Sequence, residues 1–394
     1  MSLNETPMAN RIHIGIFGKR NAGKSSIINA MTGQSLAIVS DVAGTTTDPV
    51  LKAMELLPLG PVVIIDTPGL DDVGELGLMR VQKAYQILNK TDIVVVVIDG
   101  SVGVTEEDEK IIERIKEKNI PYVVVKNKMD LWEKAEESGE NTISVSAATG
   151  QNIYELKELI AKQVPKENDS RRIVGDILQQ GDFVVLVVPI DSAAPKGRLI
   201  LPQQQTIRDV LEAGASAIVT RDSELADTLK SLGKKPRMVI TDSQAFGKVS
   251  KIVPADVELT SFSILMARYK GDLETNVKGA RILEKLRDGD KVLISEGCTH
   301  HRQCEDIGTV KMPRWIQEYT GKQLEFHFTS GTEFPLDLTE YALIVHCGGC
   351  TLNEREMKYR LKCAEDQKIP LTNYGICIAY MNGILERSIR PLNI

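Results

Sequence analysis

Cysteine is absent from the first 297 residues of this 394-residue chain, and histidine occurs there only once, at His13. All six cysteines and the other four histidines lie in the last quarter. Thiolates and imidazoles are the soft ligands that transition metals prefer. Their confinement to one region predicts a metal site in that region.

The chain also lacks long apolar runs, net positive charge and a secretion signal. Its strongly apolar runs, such as 93–98 and 183–188, have the length of strands and fall far short of the ~20 residues of a membrane span. The net charge of −6 argues against a nucleic-acid or anionic-membrane surface. Residues 1–11 are polar, unlike a signal peptide, so we expect a cytoplasmic protein with reduced thiols.

Apolar runs of strand length alternate with helix-like segments along the chain, which predicts an α/β fold. Residues 1–170 are expected to form a doubly wound P-loop GTPase domain, which two smaller α/β domains follow. A polar stretch opened by a proline, residues 165–172, marks the first boundary. Residues 171–265 carry no nucleotide or metal signature and fit a packing or dimerisation domain, whereas 266–394 holds the cysteines.

A phosphate-binding loop is predicted where the sequence GKRNAGKS follows a strand-like run and opens a helix-like one. Its glycines let the backbone wrap around phosphates, Lys24 places a charge on the β and γ phosphates, and the Ser25 hydroxyl ligates Mg²⁺. The residues expected at the phosphates are Gly18, Asn21, Ala22, Gly23, Lys24, Ser25 and Ser26.

Two further segments complete the predicted magnesium and γ-phosphate site. Asp66 opens the sequence DTPG after a strand-like run, where it would hold Mg²⁺ through water and the Gly69 amide would sense the γ-phosphate. Between this segment and the loop, Thr46 is expected to complete the Mg²⁺ shell, with Thr45 and Thr47 left as alternatives. Lys24, Thr46 and Gly69 are therefore the expected catalytic residues.

The base specificity is predicted by the sequence NKMD, which also follows a strand-like run. The Asp130 carboxylate can accept from guanine N1–H and the exocyclic amine together, a pair of donors that adenine lacks. We therefore expect GTP rather than ATP. The remaining residues expected around the base are Asn127, Lys128, Ser146, Ala147 and Ala148.

These four ordered motifs resemble translation-factor-like GTPases, and most closely the branch of tRNA-modifying and ribosome-assembly GTPases. Leu70 stands where Ras-like switches carry a water-orienting glutamine, so slow intrinsic hydrolysis is expected. Asn21 matches the position that, in the resembling branch, helps hold a K⁺ ion in place of an arginine finger. The resemblance thus implies K⁺ stimulation, although Asn21 could instead only shape the loop.

The metal-site prediction is carried by Cys298 and His300, followed after 45 residues by the sequence HCGGC at residues 346–350. Three thiolates suit zinc or an iron–sulfur cluster, and the residues alone leave open a cluster, zinc or purely structural cysteines. A four-iron cluster needs a fourth ligand besides Cys298, Cys347 and Cys350. Candidates for it are His300, His301, His346, Glu305, Cys304, water or an exogenous group.

GTPase motifs combined with a C-terminal C-x-H…H-C-x-x-C pattern resemble the HydF family, the GTPases that mature FeFe-hydrogenase. The resemblance covers the whole chain, including residues 195–205, PKGRLILPQQQ. It implies a homodimer with GTPase, dimerisation and cluster-binding domains, and a 4Fe–4S cluster rather than zinc. It also implies a scaffold that takes a diiron precursor from two radical-SAM maturases and delivers it to apo FeFe-hydrogenase.

Two other functions are weighed against this one. A zinc-containing ribosome- or RNA-associated regulatory GTPase would also explain the motifs, but phosphate backbones call for clustered Lys and Arg, which an acidic chain does not favour. A redox enzyme that combines an iron–sulfur centre with GTP lacks a recognisable substrate site.

Overall fold

The computed structural model describes residues 6–33, 50–69, 86–131, 139–164, 171–190, 199–297, 306–331 and 333–392. The chain divides after Glu167 into two compact units. Both are α/β structures, which confirms the predicted fold class. No helix in these described ranges is long and apolar enough to cross a bilayer.

The first unit is built on a six-stranded sheet in the order β2-β3-β1-β4-β5-β6. Only β2 runs antiparallel to its neighbour. The strands are β1 (Ile12–Phe17), β2 (Val50–Leu56), β3 (Gly60–Asp66), β4 (Ile93–Asp99), β5 (Tyr122–Asn127) and β6 (Thr142–Ser144), and the described α-helices are α1 (Lys24–Thr32), α2 (Glu106–Glu117) and α3 (Ile153–Gln163).

The apolar runs of this unit become strands because both faces of the sheet are covered. Six of the seven residues of β4 are buried, as a near-continuous run in a parallel sheet requires. Strand β1 lies between β3 on one side and β4 on the other, so the strand order reverses at β1. Ligands of open α/β sheets bind at the carboxyl end of such a position.

The second unit contains two four-stranded parallel sheets, in the orders β10-β9-β7-β8 and β12-β11-β13-β14. Its strands are β7 (Phe183–Val187), β8 (Ser216–Thr220), β9 (Met238–Thr241), β10 (Glu258–Ser261), β11 (Lys291–Ser295), β12 (Glu325–Thr329), β13 (Leu343–His346) and β14 (Leu371–Asn373). The described α-helices are α4 (Leu201–Glu212), α5 (Leu225–Ser231), α6 (Phe246–Ile252), α7 (Phe262–Lys270), α8 (Leu273–Ala280), α9 (Met312–Thr320), α10 (Glu354–Asp366), α11 (Tyr374–Met381) and α12 (Leu385–Ile389).

One hydrophobic core joins the two sheets of the second unit. It includes Val185 of β7, Leu265 of α7, Ile294 of β11 and Ile376 of α11, all fully buried. The expected domain boundary between residues 265 and 266 therefore falls inside helix α7. Residues 171–265 and 266–394, which were expected to form separate domains, share one hydrophobic core.

Candidate functional site

The phosphate-binding loop leaves the end of β1 and enters α1, as its motif predicts. Gly18 and Gly23 have φ angles of +148° and +95°. A Cβ at Gly18 would lie 2.2 Å from the Val97 carbonyl oxygen, and one at Gly23 would lie 2.1 Å from Asn127 Nδ2. Only glycine fits either position, because both the backbone conformation and the space exclude a side chain.

Lys24 and the magnesium residues converge at the mouth of this loop. The Lys24 ammonium donates to the carbonyl oxygens of Gly18 and Lys19 at 2.9 and 2.8 Å. Ser25 Oγ donates to Asp66 Oδ2 at 3.5 Å, which joins two of the three predicted Mg²⁺ residues.

Asp66 carries a buried oxygen, Oδ1, without a hydrogen-bond partner among the described residues. Burial raises the pKa of Asp66, while Lys24 and Ser25 act in the opposite direction. A divalent cation would favour the ionised carboxylate and supply the missing partner. The donor set therefore fits Mg²⁺.

Asn127 links the phosphate loop to the base-recognition loop. Its amide nitrogen donates to the Ala22 carbonyl at 3.0 Å, and its amide oxygen accepts from the Ala147 N–H at 3.1 Å. Ser146 Oγ donates to Asp130 Oδ1 at 2.6 Å, which holds in place the carboxylate that is predicted to contact guanine. Ala148 lies in the turn that follows Ala147.

Asp99 is a support that the sequence motifs did not predict. Its Oδ2 lies 2.6 Å from Lys128 Nζ, and Lys128 has a φ of +66°. Asp99 is the last residue of β4, adjacent to β5, where Lys128 follows. Its position at a strand end was the available signal. Two predicted residues of this unit, Thr46 and Leu70, lie outside the described residues.

The cysteine-rich segments adjoin the carboxyl ends of two neighbouring strands: Gly297 lies just past β11, and Cys347 lies just past β13. Ser295 and His346 are partners across these parallel strands. The Gly297 N–H donates to Cys347 Sγ at 3.1 Å, and the Gly349 N–H donates to the same sulfur at 3.4 Å. Residue 298, the first cysteine of the pattern, follows Gly297 directly in the chain.

The glycines of this site are required for close packing. A Cβ at Gly297 would lie 2.7 Å from Leu352 Cγ, and one at Gly349, whose φ is +61°, would lie 2.4 Å from Met357 Sδ. Thr351 Oγ1 also donates to the Gly297 carbonyl at 2.8 Å. Gly297 is thus held against the 347–351 segment by two hydrogen bonds, one that its N–H donates and one that its carbonyl accepts.

His346 is buried and fully engaged. Its Nδ1 lies 2.7 Å from the Cys347 carbonyl oxygen and its Nε2 lies 3.0 Å from Arg360 Nη1. Because the carbonyl only accepts, Nδ1 carries the proton and Nε2 accepts from Arg360. Burial, reinforced by Arg360, lowers the pKa of His346 to about 3. In this arrangement neither ring nitrogen is free to bind a metal.

Arg360 is a second support without a motif. Its side chain is fully buried and donates to Glu356 Oε1 at 2.9 Å, Ser295 Oγ at 3.3 Å and the Gly331 carbonyl at 2.7 Å, besides His346. It thereby joins α10 to the ends of β11 and β13. Ser295, the last residue of β11, and His346, the last residue of β13, are thus hydrogen-bonded to one guanidinium.

The described cysteines differ in their surroundings. Cys347 and Cys350 are partly exposed, and burial is the main cause that raises the pKa of Cys347, to about 11. Cys377 is fully buried in α11, where burial raises its pKa to about 12. Cys298, His300 and Glu305, together with the alternative candidates His301 and Cys304, lie outside the described residues. The described residues contain no group of three metal-binding side chains.

Comparison with protein families accounts for all three segments. A family model described as the hydrogen maturase F dimerization domain matches residues 173–271, and one described as the hydrogen maturase F tetramerization domain matches 274–391. The chain belongs to the hydrogen maturase F (HydF) family. A third model, described as a 50S ribosome-binding GTPase, matches residues 13–128, so this HydF chain carries a GTPase domain.

Curated relatives match the GTPase part of this HydF protein. The tRNA modification GTPase MnmE of Aquifex aeolicus is 38% identical over 157 residues, which are 39% of this chain and 34% of the relative. GTPase Der of Wolinella succinogenes is 37% identical over 197 residues, covering 45% and 40%. The chain thus spans less than half of either relative.

Among solved structures, the Era protein of Aquifex aeolicus bound to GDP and AlF₄⁻ is 22% identical. The match covers 53% of this chain and 92% of Era, with a TM-score of 0.36. At this similarity we draw nothing further from it.

Proposed function

We propose that this protein is a GTP-hydrolysing scaffold and carrier for FeFe-hydrogenase maturation. It would bind a 4Fe–4S cluster and carry a diiron precursor to the apo-hydrogenase. The observation that supports this best is the approach of the Gly297 amide to Cys347 Sγ at 3.1 Å, within a chain of the HydF family. Cys298, the residue that follows Gly297 in the chain, would join the Cys347–Cys350 loop in holding the cluster.

The residues at this site fit a thiolate-bound cluster. Two backbone amides point at Cys347 Sγ, and such hydrogen bonds stabilise a sulfur ligand in its anionic form. The high pKa of Cys347 means that the metal-free thiol is protonated at neutral pH, so binding a metal must release its proton. Cys298, Cys347 and Cys350 would hold the cluster, which would supply an iron centre for docking the cargo.

His346 acts as a support in this proposal. Both its ring nitrogens are engaged, by Cys347 and Arg360, so it orients the loop instead of binding iron. The fourth iron ligand would then be His300, Glu305, another candidate of that segment, water or the cargo itself.

GTP hydrolysis in the proposal uses the residues around the phosphate loop. Lys24 holds the β and γ phosphates, Ser25 and Asp66 hold Mg²⁺ with Thr46, and the Gly69 amide contacts the γ-phosphate. Leu70 cannot orient the attacking water, so intrinsic turnover is slow.

The role proposed for K⁺ rests on Asn21, which has a φ of +57° in the phosphate-binding loop. Turnover should be faster in K⁺ than in Na⁺ at equal ionic strength, and an Asn21→Ala variant should lose that difference. Equal turnover of the unaltered protein in both salts would remove K⁺ from the proposal.

We further propose that the protein works in the cytoplasm as a homodimer, with two radical-SAM maturases and apo FeFe-hydrogenase as partners. A match to a dimerization domain supports self-association. The net charge of −6 favours protein partners over nucleic acid or membrane.

The central test is anaerobic reconstitution with iron and sulfide, followed by metal analysis and electron paramagnetic resonance. Cys298→Ala, Cys347→Ala or Cys350→Ala should abolish the cluster and leave GTP hydrolysis within about twofold, because the ligands and the phosphate loop lie in different units. Cys363→Ala, a cysteine of α10 outside the pattern, is the matched control and should keep the cluster.

The alternative function is a zinc-containing ribosome- or RNA-associated regulatory GTPase. The description of the family model that matches residues 13–128 favours it. The same metal analysis separates the two functions. A colourless protein that holds one zinc and no iron would overturn the carrier proposal.

A further inference from the structure

Lys270 is a buried lysine whose ammonium lies against the Cys347–Cys350 loop. The residue is 4% exposed and is the last residue of α7. Its Nζ lies 2.9 Å from the Leu352 carbonyl oxygen, 3.3 Å from that of Cys350 and 3.5 Å from that of Gly349. An ammonium has three donors, and all three are directed at one loop.

The charge of Lys270 is not matched by an ion pair within the described residues, although the Glu354 carboxylate attracts it from a longer distance. No described carboxylate lies within the 4.0 Å of an ion pair from its Nζ, unlike Lys278, which pairs with Glu274 at the surface. Placing an ammonium in the interior removes its hydration, which carbonyl dipoles replace only in part. A negative group in the adjacent loop would offset the rest.

The other end of α7, the helix that carries Lys270, is hydrogen-bonded to β14 and α11. Ser263 Oγ accepts from the Gly375 N–H at 3.3 Å, and the Ser263 carbonyl accepts from Asn373 Nδ2 at 2.9 Å. Helix α7 belongs to the segment matched by the dimerization family model, whereas the loop belongs to the next one. The position of Lys270 is therefore set by its own hydrogen bonds to the loop and by the hydrogen bonds of Ser263 at the other end of α7.

We infer that Lys270 is a positioning residue and fixed counter-charge for the cluster, pinning the Cys347–Cys350 loop through three carbonyls and stabilising added negative charge there. This inference rests on the proposed function. A nearby positive charge favours the reduced form of an iron–sulfur centre, since net charge is one of the factors that set its potential. Removing it lowers the reduction potential.

The test compares Lys270→Gln, Lys270→Arg and the exposed control Lys278→Gln in the full-length protein, reconstituted anaerobically. In Lys270→Gln, which retains an N–H donor without the charge, reduction should become at least tenfold less favourable, a shift of about 59 mV for one electron. Lys270→Arg and Lys278→Gln should stay closer to the unaltered protein than that. Potentials are read from redox titrations followed by electron paramagnetic resonance.

A second measurement uses the metal-free protein. Lys270→Met removes all three hydrogen bonds, so hydrogen exchange in residues 348–352 should become at least tenfold faster. In Lys278→Met it should be unchanged. Unchanged exchange in Lys270→Met would overturn the positioning role, and an unchanged potential in Lys270→Gln would overturn the counter-charge.

The outcomes remain distinguishable from failure of the proposed function. If the unaltered protein assembles no cluster, the proposed function fails and the inference fails with it. If the cluster assembles in all variants with equal potentials and hydrogen exchange in Lys270→Met is unchanged, only the inference is wrong. Should the neutral variants not fold, Lys270→Arg decides: a potential within 59 mV of the unaltered protein supports the counter-charge, and a lower one contradicts it.

Discussion

Arg360 shows how one residue holds several loops in place. Its guanidinium donates to Glu356, Ser295, His346 and the Gly331 carbonyl and is fully buried. Removing one partner of a buried charged network leaves the others desolvated without compensation. The stability of the sheet formed by β12, β11, β13 and β14 therefore depends strongly on this side chain.

Arg360→Met should lower the free energy of unfolding by about 3–5 kcal/mol, because Glu356 would remain buried without its counter-ion. Urea unfolding can follow Trp315 fluorescence in a Trp132→Phe background, which makes Trp315 the sole tryptophan. Arg314→Met, at an exposed arginine of α9, is the control and should change stability by less than about 0.5 kcal/mol. A loss below about 1 kcal/mol in Arg360→Met would contradict the network.

Asp130 should decide which base is bound. Asp130→Asn replaces an anionic acceptor by an amide, so GTP should lose a charge-assisted hydrogen bond worth about 1.5–3 kcal/mol, or roughly 10–150-fold in affinity. Xanthosine triphosphate, whose C2 oxygen can accept from the new amide, should gain affinity. Titrations with fluorescent nucleotides test this, and Asp108→Asn serves as the control in the same unit. Equal affinity of Asp130→Asn for GTP would exclude the predicted contact.

The residues of the sequence motifs were predictable because each motif repeats a fixed spacing around a chemical requirement. Gly18, Asp66 and Asn127 are examples, and the structure brings them to one edge of one sheet. Lys270 and Arg360 were not predictable in this way. A single lysine or arginine in a helix is ordinary, and only the tertiary contacts show that these two are buried.

At the scale of elements, helix α8 packs against β14 without room for a side chain at their contact. A Cβ at Gly279 would lie 2.0 Å from the Leu371 carbonyl oxygen and 2.5 Å from its carbon. Backbone atoms on both sides cannot move aside as a flexible side chain can. The close approach of helix and strand therefore depends on this glycine.

Gly279→Ala should destabilise the second unit by about 1–3 kcal/mol through overpacking, although alanine is the better helix former by about 1 kcal/mol. Lys278→Ala, at the neighbouring exposed position, should be neutral within about 0.5 kcal/mol. Trp315 fluorescence in urea again reports the transition. A stabilised Gly279→Ala would show that intrinsic helix propensity outweighs the contact.

Strands with a continuous apolar run were predictable, whereas β2 and β14 were not. The apolar runs 93–98 and 183–188 were expected to have strand length, and they form β4 (Ile93–Asp99) and β7 (Phe183–Val187). Strand β2 has mostly exposed or half-buried residues and pairs with β3 on one side, so it lacks a continuous apolar run. Strand β14 has only three residues, too few for any periodicity.

At the scale of the whole molecule, the two units should unfold separately. The first contains the predicted nucleotide residues and the second contains Arg360 and the cysteines. A ligand stabilises only the unit that binds it. Heating should therefore give two transitions that respond to different changes.

Mg²⁺ and GDP at about 100 times the dissociation constant should stabilise the first unit by about 2.7 kcal/mol, which raises its midpoint by about 5–11 °C. Arg360→Met should lower only the other transition. Differential scanning calorimetry of the full chain measures both. If the nucleotide and Arg360→Met moved one common transition, the units would be energetically coupled.

The interior shared by the two sheets of the second unit limits how this region can be exchanged between relatives. A graft made between residues 271 and 274, where the two family models adjoin, would separate Leu265 of α7 from its partners Ile294 and Ile376 in the same core. It would also separate Lys270 from the loop that its ammonium contacts. Residues 173–391 should therefore be inherited, transplanted and engineered as one piece.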